Sequence, residues 1–392
     1  MSRSVRRRFC AILILISLSI LLSCSSDEKT GSSGPPSSEL MFVEYRNPVE
    51  IEVDPELQLA LLLHDRSSPS GPALQVVDIQ NYQVLQTLIL DYYDVYDVEF
   101  INSTTACFAG RPQGNIGYAV EFFTIPSLTN MTRVLTADTS GTHGYLDVSA
   151  SGTVVYYSHS GGGDKDAVYA ISVTQKRLID ADYDNASPFG FDNDLVEGVF
   201  ASPGRIFFDS GTTDIVVANL LGDYITLIDA GIWGLNSRDA LLVFPIAGTE
   251  HIETGPNTIP HIRADAVAKG DNMYAFAGTS EGTPYLSRFS TSSQGVDFVE
   301  SFNDREWVYR NRDIRIHPRQ DIFSVFVLQE DSVGVGIGQF RLNNLGEVAS
   351  SPYRTRHIPD STIAAVGIDT ENDRLLVADR ESEYLEFIRI MP

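Results

Sequence analysis

Val49-Glu50-Ile51-Glu52-Val53-Asp54-Pro55-Glu56 alternates apolar and charged residues and then halts at an Asp-Pro pair. Alternation with period two is the mark of a strand, and Asp-Pro starts a tight turn. An apolar run, Leu59–His64, follows, then Leu74–Ile79 and Val84–Leu90, so four short strands succeed one another. The opening shape returns as Ile314-Arg315-Ile316-His317-Pro318-Arg319 and as Val366-Gly367-Ile368-Asp369-Thr370-Glu371. Weaker copies are Val98-Glu99-Phe100 and Val148-Ser149-Ala150-Ser151-Gly152.

A four-strand unit thus recurs at roughly 40–50 residues, the period of propeller blades. No long helical period interrupts it; runs rich in Val, Ile, Tyr and Phe are separated by Gly, Asp, Asn and Ser. The expected fold is all-β: a seven-bladed β-propeller over residues 40–392. Six or eight blades stay open, because Val196–Ala201 and Ala240–Ile246, in segments 183–204 and 230–262, fit the repeat poorly. The last unit offers three strands, Thr362–Asp369, Arg374–Asp379 and Tyr384–Ile390, and an orphan strand, Leu40–Tyr45, precedes the first. If the orphan completes the last blade, the ring closes and the exposed edges that an open array would offer are removed.

Asp214-Ile-Val-Val-Ala-Asn219 with Tyr224-Ile-Thr-Leu-Ile-Asp229, Leu375-Leu-Val-Ala-Asp379 and Gln75-Val-Val-Asp-Ile79 resemble the repeats of YVTN-type propellers. That resemblance implies a fold and no activity.

The amino terminus has its own signature. Arg3, Arg6, Arg7 and Arg8 precede the apolar run Phe9–Leu22, which falls short of the about 20 residues needed to span a bilayer but suits an export signal. Leu21-Leu22-Ser23-Cys24 resembles a bacterial lipobox, which implies a signal peptide over 1–23 and fatty acids such as palmitate on Cys24. A plain secretory signal with a chance Cys is the alternative. Residues 24–39, nearly without apolar side chains, read as a flexible linker. Ser25 stands where Asp retains enterobacterial lipoproteins at the inner membrane, so the resemblance favours the outer membrane of a bacterial cell envelope.

The net charge is −24, and loss of the four arginines of 1–23 takes it to −28 (−24 minus 4). Such a surface repels phosphate backbones, so nucleic acid is excluded as an expected partner, and membrane attachment rests on the lipid. Of three cysteines, the lipobox resemblance implies that Cys10 leaves with the signal and Cys24 is acylated. Cys107, in an apolar strand with no His or Lys adjoining, is expected to be buried and inert.

Several polar runs are candidates for chemistry. Asp180, Asp182 and Asp184 have the alternate spacing that offers oxygens to calcium, but the Gly and distal Glu of a full calcium loop are missing. A solvated acidic loop is the simpler reading. His143 and His261 each stand four residues before an Asp at an inner-strand start, Asp147 and Asp265. Tyr93 and Tyr309 take the same place before Asp97 and Asp313. Equivalent positions around a propeller converge at one channel mouth, so these residues form a candidate binding site there. Imidazole beside carboxylate also suits proton transfer or metal binding, which makes His143, Asp147, His261 and Asp265 the catalytic candidates. Pro260-His261 resembles the Pro-His pair of lactonase-type propellers, which implies a hydrolase or lactonase. Against this, Asp at a strand start commonly caps backbone amides. The stripe Gly334, Gly336, Gly338 lacks the helix and Lys of a phosphate loop and reads as a packed strand.

Two functions are thereby set against each other. One is a lipid-anchored binding or scaffolding module for a protein, peptide or glycan, needing no cofactor. The other is a hydrolase acting at the channel mouth. The absence of a compact catalytic motif favours the first.

Overall fold

The computed structural model describes residues 38–65, 71–114, 117–137, 141, 143–179, 191–192, 200–231, 249–253, 263–270, 273–281, 283–290, 295–301, 310–317, 324–330, 335–341, 354–356 and 363–390. They form a seven-bladed β-propeller of antiparallel sheets running outward from the axis; six blades are four-stranded, and blade 3 carries a fifth short strand, Phe191–Asp192, paired with Ala167–Ser172. Blade 1 comprises Pro48–Asp54, Leu59–His64, Ala73–Asp78 and Gln83–Ile89, each within a residue or so of the strand expected from its pattern. The innermost strands of blades 2 to 7 are Tyr92–Asn102, His143–Val148, Pro203–Asp209, Arg263–Gly270, Arg310–His317 and Ile363–Asp369. Each touches the inner strands of both neighbouring blades, the last returning to the first.

Apolar alternation explains why the ring holds. Seven hydrophobic clusters lie at the seven seams between adjacent blades. In Leu59–His64, Ala60 and Leu62 point into the seam with blade 7, while Leu61 and Leu63 point into the seam with blade 2. A middle strand is buried on both faces and so reads as a continuous apolar run. Cys107 sits in the blade 2–3 seam among Val120, Phe122 and Tyr157. Burial pushes its thiol well above the usual range. The Gly336 and Gly338 stripe is part of Val335–Arg341, the third strand of blade 6.

Closure follows the expected plan. Ser38–Phe42 pairs antiparallel with Tyr384–Arg389, from Ser38 opposite Ile388 to Phe42 opposite Tyr384, as the outer strand of blade 7. Met41 and Val43 turn inward beside Leu385 and Phe387, whereas Leu40 and Phe42 stay exposed. Blade 4 departs from the sequence reading. Its outer strand is Thr249–Glu253, beyond a long excursion from Tyr224–Asp229. The poorly fitting runs Val196–Ala201 and Ala240–Ile246 fall wholly or largely outside the described residues.

Candidate functional site

Six of the seven inner strands carry a register irregularity at equivalent places near their starts: Pro48/Glu50, Val95/Asp97, Pro203/Ile206, Ala264/Ala266, Asn311/Asp313 and Ile363/Ala365. A bulge inserts one residue, bends the strand and re-aims its side chains. The residues so displaced, Val49, Tyr96, Arg205, Asp265, Arg312 and Ala364, all line one cavity of about 250 Å³ on the axis. Blade 3, whose inner strand runs without a bulge, contributes Gly144 and Tyr145. The mouth of the channel is therefore assembled from one repeated backbone device.

Beneath the bulges lies a buried charge network. Glu50, Asp97 and Asp313 follow the bulges of blades 1, 2 and 6 and are 3%, 0% and 5% exposed. Each accepts the next backbone amide: Ile51 N–H at 3.2 Å, Val98 N–H at 2.9 Å and Ile314 N–H at 2.8 Å. Arg205 reaches over from blade 4. Its Nη2 pairs with Glu50 Oε2 and lies 3.1 Å from Asp313 Oδ2, while Nη1 stands 3.7 Å from Asp97 Oδ1. Arg205 Cζ also sits 5.0 Å from the Tyr145 ring centroid. Arg315 closes the network, Nη2 to Glu50 Oε1 at 2.5 Å and Nη1 to Asp313 Oδ1 at 2.9 Å. Charges this deep are tolerable only when paired and hydrogen-bonded, and here four blades hold one another through two guanidinium groups.

Burial pushes the Glu50 carboxyl up to about 7, against the pull of Arg205 and Arg315. One pleat further along the channel, burial raises Glu52 to about 8, with Arg315 opposing, and lifts Glu99 well above the carboxylate range, with Glu52 adding to it.

Asp265 and Asp313 line this cavity, while Asp97 is not on its wall and lies 3.7 Å from Arg205 Nη1. Asp147 is turned to bracing: it accepts Val148 N–H at 2.7 Å and the Phe208 N–H of the next blade. Asp97 likewise accepts Leu146 N–H of blade 3 at 2.7 Å, and Asp265 accepts the Thr279 hydroxyl at 3.0 Å. Tyr93 is exposed on the rim with Arg111 Cζ 5.6 Å from its ring, and Tyr96 takes the cavity wall instead. His143 lies on the inner strand of blade 3, opposite Ser160. His261, Tyr309, Asp180, Asp182 and Asp184 lie outside the described residues.

Sequence reasoning missed Glu50, Arg205, Arg312 and Arg315. A signal was present: Glu50/Glu52, Asp97/Glu99 and Asp313/Arg315 repeat a charge every second residue on strands whose other face is apolar. An inner strand has one face on a seam and the other on the axis, and only the axis tolerates such a stripe.

Fold and site together define a β-propeller with a charge-lined central channel. Neither a scan against protein-family models nor a search of the curated proteins finds a match to this chain.

Proposed function

We propose that this chain is a lipid-anchored protein of a bacterial cell envelope, whose propeller binds a protein, peptide or glycan at its channel mouth. The observation that carries the binding reading is the cavity itself, built from one displaced residue of nearly every blade and walled by tyrosines and charges of both signs. Rigid seams hold the ring while the mouth residues differ from blade to blade, which is how such folds present recognition surfaces. The anchoring reading rests on Arg3 to Arg8, the apolar run Phe9–Leu22 and Leu21-Leu22-Ser23-Cys24, and Ser25 favours the outer membrane. Runs such as Asp214–Asn219 support blades of YVTN type.

Two measurements test this. Cells expressing the chain are fed an alkynyl palmitate: the wild type is expected to carry the label and Cys24→Ala to lose it. Equal labelling of both sinks the anchor. For the mouth, binding of purified protein to peptide and glycan arrays is compared with Ala364→Phe, which fills the cavity. Binding that the variant leaves untouched places the ligand elsewhere.

A further inference from the structure

Resting on that reading of the mouth, we propose that the cavity takes an uncharged sugar residue, the end of a glycan chain. Its wall carries both signs of charge: Glu50, Arg205, Asp265, Arg312 and Asp313 all border it. An entering ammonium or guanidinium group meets Arg205 and Arg312, and an entering carboxylate meets Glu50, Asp265 and Asp313. Neither full charge finds a uniformly complementary wall. A hydroxyl suits it, because it donates to carboxylates and accepts from guanidinium on the same atom.

Arg205 retains capacity for such an acceptor. Its Nη2 is engaged by Glu50 and Asp313, but Nη1 is 3.7 Å from Asp97 Oδ1, past hydrogen-bond range. The buried network below holds this guanidinium in place, so little freedom is lost when a ligand arrives. Tyr96, re-aimed by its bulge, adds a flat ring to one side of the cavity, the surface against which the C–H face of a pyranose packs. The volume, about 250 Å³, lies just below that of pockets for drug-sized molecules, about 300–1,000 Å³, which fits one terminal residue better than a long chain segment.

The test is saturation-transfer NMR on the purified protein with four probe sets: neutral methyl glycosides and short neutral oligosaccharides, glucuronate, glucosamine, and acidic or basic tripeptides. The neutral sugars are expected to give transfer, and Ala364→Phe to weaken them by about tenfold or more. Arg205→Lys, which keeps the charge but loses the fork, is expected to weaken them too, with melting curves showing both variants folded. Transfer from charged peptides alone, abolished by Ala364→Phe, overturns the sugar assignment and leaves mouth binding standing. Sugar transfer that survives Ala364→Phe overturns both. No transfer from any neutral sugar overturns the sugar assignment.

Discussion

His64 Nδ1 lies 3.1 Å from the carbonyl oxygen of Arg46, which joins a buried side chain of blade 1 to the segment running from the outer strand of blade 7. Its Nε2 lies 3.0 Å from the Gln75 side-chain oxygen, and Gln75 Nε2 donates to the Val43 carbonyl at 2.8 Å. Two polar side chains of blade 1 thus grip the peptide that carries ring closure. With no exposure to solvent, His64 is held down to about 4 by burial, which outweighs both hydrogen bonds.

The sign of the acid response follows. Between about 6.5 and about 4 the unfolded chain binds a proton at His64 that the folded chain refuses, so stability is full above that window and lost as pH falls through it. The shift corresponds to roughly 3 kcal/mol. Thermal melts from pH 7 to 4 are expected to show the decline, and His64→Gln to flatten part of it; an equal slope in the variant removes His64 from the account.

Glu52 acts in the opposite direction. Its folded carboxyl holds its proton up to about 8, so its contribution is present below about 4.5 and is lost as pH rises towards 8. Glu52→Gln keeps the hydrogen-bonding shape without the charge. The variant is expected to be more stable than wild type at pH 9 and close to it at pH 4, read by chemical denaturation at both.

Arg205 and Arg46 make ion pairs of very different worth. Arg205 is 8% exposed and sits among three carboxylates, and its replacement by Ala strands them in the channel. A loss of about 3–5 kcal/mol is expected. Arg46, half-exposed and paired with Glu383 at 2.8 Å, is expected to cost under about 1 kcal/mol when replaced by Ala. Urea melts that give similar losses contradict the network as a stabilising unit.

Neighbouring residues of the closing strand separate in the same way. Met41 is 4% exposed against Leu385 and Phe387, and Met41→Ala is expected to cost about 2–4 kcal/mol. Leu40, 65% exposed, is expected to tolerate Ala within about 0.5 kcal/mol. Reversal of that order in denaturant melts would mean that the strand does not pair as seen.

Strand positions were legible because middle strands bury both faces and inner strands one, and both patterns survive in a degenerate repeat. Leu59–His64 and Arg374–Asp379 read directly for that reason. Blade 4 was opaque, since no local pattern reveals that Thr249–Glu253 pairs with Tyr224–Asp229 across an insertion. The mouth was half legible. Asp97, Asp265 and Asp313 stand at strand starts where the sequence directs attention, but a bulge is a property of two paired strands. The wall position of Tyr96 rather than Tyr93, and the reach of Arg205 across the axis, therefore needed the register.

The pairing of Ser38–Phe42 with Tyr384–Arg389 has a consequence for how the chain reaches its native state. Ribosomes make the first partner well before the second, so six blades can assemble while the seventh lacks a member. During that interval the outer edge of Tyr384–Arg389's sheet, and the unpaired early strand, are open to wrong partners. Closure pairs residues far apart in sequence, Phe42 opposite Tyr384, and so carries a large loop entropy. The rate-limiting event in refolding is thus expected to be capture of the early strand, a step that a chaperone shielding one short peptide is enough to guard.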